Sequence, residues 1–338
     1  MSEIQLTTLI FIASGALSFL SAPLFSIFLI PIAHRIGAID VPRDKRRMHT
    51  KPIARIGGVA IYLSFLIGGA LFSPLCRPLF SYSTATLLRA IAIGGGVIVI
   101  GGLADDIFSL SPWQKIIYQL LAASAAAACG IRLFDGALGV LGSILLSVLL
   151  SNAFNLIDGL DGLCGGISVS ALIALTAILS GEGASLLLLS AALGFLPLNL
   201  RPARLFLGDS GSMLLGFSIS VIASRLFFLS PTSVTATSLA LILVLPLSDT
   251  ALAVVRRVGK GKSPFSPDRE HLHHRLVDRG LPHGRASLFL VLLAAGFSAL
   301  GATIFITGFS FPSLILSILL IFPTASAIMM GKNAKVKF

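Results

Sequence analysis

The chain has 338 residues, 55% of them hydrophobic and only 12% charged, with a formal net charge of +11. A soluble domain carries about 25% charged residues, so this composition excludes an ordinary soluble globular protein. The three cysteines, Cys76, Cys129 and Cys164, are scattered without a CxxC spacing and point to neither a disulfide framework nor a metal centre.

Taken in chain order, apolar runs of roughly 20 residues recur along the whole length, each long enough to cross a bilayer as a helix. Eleven spans are predicted, at 4–33, 56–75, 88–104, 113–131, 134–152, 163–180, 184–200, 211–229, 234–255, 286–308 and 311–330. The first is too long for the core of a signal peptide and lacks a basic start, so it reads as a retained span. Helix is the expected state in lipid, because a helix satisfies its own backbone hydrogen bonds. The predicted fold is an all-α polytopic integral membrane protein with about ten or eleven transmembrane helices and cytoplasmic catalytic loops. Residues 1–338 read as one membrane-embedded domain, without an internal repeat and without a linker long enough to hold a soluble domain.

The basic residues set the expected orientation. With the N-terminus outside, 21 of the 25 Lys and Arg residues fall on inward segments, and only Arg77, Arg89, Arg132 and Arg225 fall outside. This is the asymmetry of the positive-inside rule. The net charge therefore reports topology and not a nucleic-acid partner; anionic head groups and an anionic substrate are secondary readings. The same topology places Asp105, Asp106, Asn152, Asn155, Asp158, Asp161, Asp209 and the 271–274 histidines on the cytoplasmic side. The outward loops hold little besides Glu3, Asp135 and Glu182. Acids gathered on one side suit an enzyme at a membrane face, whereas a transporter more often places its ionisable groups near the midplane.

Four polar stretches carry the candidate chemistry. In GGLADDIFSLSPWQK (101–115), Asp105 and Asp106 repel each other unless a cation lies between them or one is protonated. The pair reads as a solvated helix terminus or as a site for Mg²⁺ and substrate phosphate. In NAFNLIDGLDG (152–162), Asp158 and Asp161 lie three apart among glycines that favour a tight turn, and either geometry aims both carboxylates at one small volume. A single Asp-Gly pair is an ordinary turn; two within five residues, preceded by Asn152 and Asn155, are not. In LFLGDSGSMLLGF (205–217), Asp209 either caps the next helix or sits where free amides suit a phosphate. In SPFSPDREHLHHRL (263–276), His271, His273 and His274 lack a clear fourth zinc ligand and, beside arginines, suit a diphosphate. Asp249, near the inner end of the ninth span, reads as a partner for a basic neighbour or as a catalytic acid.

The order GAIDVPRDKRRMHTKPIARIGG, DD, NAFNLIDGLDGL, FLGDSGS, PDREHLHH resembles the polyprenyl-phosphate N-acetylhexosamine-1-phosphate transferases of the MraY/WecA type, from about residue 36 to 275. The His271-Leu272-His273-His274 motif looks like the branch that uses UDP-N-acetylglucosamine, and unlike the His-His-His-Phe-Glu pattern of the phospho-MurNAc-pentapeptide transferases. The resemblance implies transfer of an N-acetylhexosamine-1-phosphate, GlcNAc-1-phosphate first, from a UDP-sugar to undecaprenyl phosphate, with release of UMP and with Mg²⁺ or Mn²⁺ as cofactor. It also implies a bacterial plasma (inner) membrane location, a cytoplasmic site and pairing of chains within the bilayer. By the same resemblance Asp209 and Asn155 are metal ligands, and Asp105 deprotonates or positions the lipid phosphate with support from Asp106. Asp158 and Asp161, with Asn152 and Asn155, face the nucleotide and metal. His271, His273 and His274 meet the diphosphate and sugar. Lys45, Arg46 and Lys115 supply positive charge. Two positions depart from the pattern: Ile107 stands where relatives often carry a charge, and Ala54 where a proline is common. The rival readings are an ion or metal transporter, a silent membrane scaffold and the peptidoglycan-branch transferase.

Overall fold

A computed structural model describes residues 3–42, 52–75, 82–180, 182–261, 263 and 270–309. The predicted span at 311–330, along with Lys45 and Arg46, lies outside the described residues. Twelve helices are found among those described. They are α1 (Glu3–Ile36), α2 (Gly57–Leu75), α3 (Tyr82–Phe108), α4 (Pro112–Ala128), α5 (Ala137–Ile157), α6 (Leu163–Ile178), α7 (Gly183–Asn199), α8 (Gly208–Leu229), α9 (Ser233–Ile242), α10 (Val244–Gly259), α11 (Leu272–Asp278) and α12 (His283–Thr307). Five of them are long and apolar enough to cross a membrane: α1, α3, α5, α8 and α12. Shorter apolar helices stand at α2, α6 and α7. The chain is an all-α polytopic membrane protein, as its composition predicts.

The ninth predicted span is not one straight helix. α9 and α10 meet at a 75° bend. The cause is local: Pro246 has no N–H to give to the carbonyl of Ile242, so the hydrogen-bond ladder breaks there and a new helix starts at Val244. α10 then buries Pro246, Asp249, Ala253 and Arg257, spaced three to four apart along one face.

α8 is the centre of the molecule. Every residue from Gly208 to Leu226 is buried, and α2, α3, α5 and α6 all pack on it. Its small residues permit this, since backbones approach closely only where side chains are small. Around the outside, α1 exposes Leu20, Leu24, Ile27 and Phe28, while α12 exposes Leu288, Phe289 and Leu292. Such apolar surface is costly in water and is expected toward lipid.

Three very short strands tie the helix ends together. β1 (Ile39–Asp40) pairs antiparallel with β2 (Ile53–Arg55), which pairs parallel with β3 (Leu205–Phe206). The register sets Arg55 opposite Phe206, three residues before Asp209. Beside this sheet the end of α3 touches the start of α8: a Cβ on Gly102 would fall 2.4 Å from the Cα of Ser210. That contact brings the acid pair of α3 to the N-terminus of α8.

Candidate active site

An open cavity of about 330 Å³ lies at these helix ends, lined by Arg55, Asp105, Ser109, Leu110, Lys115, Asn155, Asp158 and Asp209. Its residues come from β2, the α3–α4 turn, the end of α5 and the start of α8. Segments far apart in sequence thus contribute to one polar chamber.

The α3–α4 turn is built to present Asp105 and Lys115. The chain leaves α3 through Ser109, which has a positive φ of 54°, and its N–H donates to the Asp105 carbonyl at 2.8 Å. The Leu110 N–H donates to Asp105 Oδ1 at 2.6 Å, fixing the carboxylate. α4 then starts at Pro112, where a missing N–H costs nothing, and Gln114 accepts the Ser111 N–H at 2.8 Å. Lys115 sits in that first turn. Its Nζ donates to Asp209 Oδ2 at 2.6 Å and pairs with Asp105 Oδ2 as well. One ammonium therefore holds two carboxylates side by side.

Arg55 closes the other flank. Its Nη2 lies 3.0 Å from Asp209 Oδ1 and 3.3 Å from Asp106 Oδ1. The Asp106 side chain is fully buried, and its two oxygens accept the N–H groups of Asp209 at 2.9 Å and Ser210 at 3.2 Å. Asp106 thus caps α8 and holds the backbone that carries Asp209. Gly208 makes room for it: φ is +70° and a Cβ would come 2.5 Å from Asp106 Oδ2.

Asn155 lines the cavity and donates from its amide nitrogen to Ser212 Oγ at 3.1 Å; among the described residues no hydrogen bond is made to its oxygen. Asp158 caps the end of α5 and lines the cavity. Burial pushes its carboxyl up to about 7 against the pull of Arg55, with Asp209 and Asp106 adding to the rise. Asp161, in contrast, does not line the cavity. Its Oδ2 accepts the Ala203 N–H at 3.2 Å, and its carbonyl accepts the Ser287 hydroxyl at 2.9 Å, so it fastens the 201–205 segment and α12. Asn152 exchanges hydrogen bonds with Gln119 between α4 and α5, at 2.7 and 3.3 Å, also away from the lining.

The histidines form a layer against the Asp158 loop. The His271 and His273 rings are parallel within 5°, with centroids 6.0 Å apart, and His274 lies 4.2 Å from His273. His273 is packed on Gly159 so closely that a Cβ there would fall 2.1 Å from Nε2. Neither ring nitrogen of His273 has a hydrogen-bond partner among the described residues. Burial, with His274 beside it, pulls its pKa down to about 3, so the ring is neutral at physiological pH.

The structure thus brings Asp105, Asp158, Asp209, Asn155 and Lys115 into one chamber, with Asp106 directly behind. It adds Arg55, one of the 21 basic residues on the inward segments and the arginine of the KPIARIGG stretch. The available signal was its place as the last cation before the Gly57-Gly58 start of a span. No group of three or more His, Cys, Asp and Glu side chains forms a ready metal cage among the described residues. The donors in the cavity are hard oxygens, which suit an ion that takes one or two carboxylates and completes its shell with water and phosphate.

Comparison with known proteins gives this chamber a setting. The model of glycosyl transferase family 4 matches residues 88–226. A probable undecaprenyl-phosphate N-acetylglucosaminyl 1-phosphate transferase of Bacillus subtilis is 36% identical over 286 residues, covering 79% of this chain and 77% of the relative. The chain belongs to the polyprenyl-phosphate N-acetylhexosamine-1-phosphate transferase family. Two further relatives of this transferase agree. A decaprenyl-phosphate N-acetylglucosaminephosphotransferase of Mycolicibacterium smegmatis is 33% identical over 314 residues, covering 80% of this chain and 76% of the relative. An undecaprenyl-phosphate alpha-N-acetylglucosaminyl 1-phosphate transferase of Escherichia coli is 30% identical over 307 residues, covering 84% and 81%. The matched 88–226 stretch contains both acid pairs, Asp105–Asp106 and Asp158–Asp161, and Asp209.

Proposed function

We propose that the transferase moves GlcNAc-1-phosphate from UDP-GlcNAc to undecaprenyl phosphate, releasing UMP and starting a cell-envelope glycan. The reading rests on the convergence of Asp105, Lys115, Arg55 and Asp209 in one cavity at the helix ends. Both substrates are anions, and two fixed cations beside carboxylates are what their approach requires. A lipid phosphate also needs a site open to the bilayer, and its apolar tail explains why this chemistry lies among membrane helices.

In the proposed reaction an oxygen of the lipid phosphate attacks the β-phosphorus of the nucleotide sugar. The bond from that phosphorus to the bridging oxygen breaks, and UMP leaves with the electron pair. A phosphate monoester is largely ionised near neutral pH, its second pKa being about 6, so a direct attack needs no enzyme nucleophile. Asp105, held by Lys115 and the Leu110 N–H, positions the lipid phosphate. Lys115 and Arg55 offset charge as the anions meet. Asp209 and the Asn155 oxygen would hold Mg²⁺ or Mn²⁺, which supplies further positive charge against the diphosphate. The histidine layer meets the sugar-diphosphate half beside Asp158. The distribution of basic residues supports an N-terminus outside the plasma membrane and a site facing the cytoplasm.

The test is UMP release from purified protein given undecaprenyl phosphate, Mg²⁺ and one donor at a time: UDP-GlcNAc, UDP-GalNAc or UDP-MurNAc-pentapeptide. Release with UDP-GlcNAc that needs both lipid and metal is the expected result. Release only with the pentapeptide donor would move the chain to the peptidoglycan branch.

A further inference from the structure

Asp249 lies on α10, outside the cavity lining, and is 1% exposed. A carboxylate removed from water in this way needs partners. It has two, and both belong to the histidine motif. Its Oδ2 lies 2.8 Å from His271 Nδ1, and its Oδ1 accepts the Leu272 N–H at 2.9 Å. His271 is the residue before α11 and caps nothing with its own side chain, so Asp249 supplies the missing acceptor from another helix. An ionised carboxylate only accepts hydrogen bonds. Paired with an acceptor-only carboxylate, His271 carries the shared proton on Nδ1, which fixes which ring nitrogen faces Asp249.

From there the contacts run to the cavity. His271 is 5% exposed and stacks on His273, which is 2% exposed and pressed on Gly159, the neighbour of the cavity residue Asp158. The bend at Pro246 is what turns the Asp249 face of α10 toward the protein interior and onto this layer.

We infer that Asp249 is a positioning residue of the transfer reaction: it fixes the tautomer and angle of His271 and the start of α11, and so seats the histidine layer against the Asp158 loop. The inference rests on the transferase reading. Asp249→Asn is the sharp variant, because an amide still accepts from Leu272 but donates to Nδ1 and moves the ring proton to Nε2. Such a tautomer error in a carboxylate–histidine pair is costly although the geometry survives.

The experiment measures UMP release and thermal unfolding for the wild type, Asp249→Asn, His271→Ala and the double variant. Asp249→Asn is expected to lower kcat/KM by at least about tenfold with its unfolding temperature nearly unchanged, and to add less than about twofold in the His271→Ala background. Losses that multiply in the double variant, or an Asp249→Asn enzyme within about twofold of wild type, would overturn the inference. An inactive wild type would instead remove the transferase reading. Nitrogen NMR of histidine-labelled wild-type protein gives a check that needs no Asp249 variant, with the His271 signal identified by its loss in His271→Gln. A proton on His271 Nδ1 supports the inference, and a bare Nδ1 overturns it.

Discussion

The carboxylate of Asp106 accepts the backbone N–H of Asp209 at 2.9 Å, so one acid of the chamber holds another in place. Adjacent residues on α3 therefore do different work. Asp105 faces the cavity and pairs with Lys115, whereas Asp106 is spent on the start of α8.

This division predicts different outcomes for the two acids. Asp106→Ala leaves two buried N–H groups and one face of Arg55 without an acceptor, and is expected to destabilise the protein by about 1–3 kcal/mol. Asp105→Ala is expected to cost less stability. Thermal unfolding of both variants in the same detergent measures the difference; equal losses would contradict the capping role.

Asp209→Asn and Asp105→Asn keep the size of each side chain but remove its charge. Each is expected to abolish transfer, by a factor of about 100 or more, in protein that still inserts and purifies normally. Wild-type turnover in either variant would break the site assignment. A chelator is expected to stop the wild-type reaction, with recovery on adding back Mg²⁺.

Arg55→Ala removes the cation that touches both Asp106 and Asp209. It is expected to lower kcat/KM by about 100-fold, and Arg55→Lys to recover only part of the loss, because lysine is shorter and lacks the delocalised guanidinium whose Nη2 touches both acids. Steady-state UMP release measures both variants.

The buried His273 gives a pH prediction. Its folded pKa of about 3 lies below its ordinary 6.5, so between these values the unfolded chain binds a proton that the folded chain does not. Its contribution to stability is complete above about pH 6.5 and is lost as the pH falls below it. Asp158, raised from 3.8 to about 7, acts with the opposite sign over much of the same window. The wild-type curve therefore mixes opposed contributions. His273→Gln removes the first contribution alone, so its unfolding temperature relative to wild type should rise as the pH falls from about 6.5 to about 5. Parallel curves would contradict the buried neutral ring.

The five long apolar helices were legible because apolar length is a local property of a sequence, whereas the predicted 113–131 span is not among the helices long and apolar enough to cross a membrane. The Asp158 loop was also legible locally, since two Asp-Gly pairs in five residues strain any plain turn reading. Arg55 was not, because its place depends on a two-residue strand pairing with β3 some 150 residues away. Asp161 read as ligand-facing from its spacing and Asn152 from the family resemblance; in the fold Asn152 pairs with Gln119 and Asp161 with the Ala203 N–H. The break at Pro246 was hidden inside a run whose hydropathy is that of one span. Without the break, Asp249 had no visible route to His271.

In the proposed reaction the β-phosphate travels with the sugar. UDP-GlcNAc labelled at its β-phosphorus, incubated with the purified protein, undecaprenyl phosphate and Mg²⁺, tests it in one step. The label is expected to pass into the organic-extractable lipid while unlabelled UMP stays in the water phase. Label left in the water phase as UDP, or as intact nucleotide sugar with well-folded protein, would contradict it.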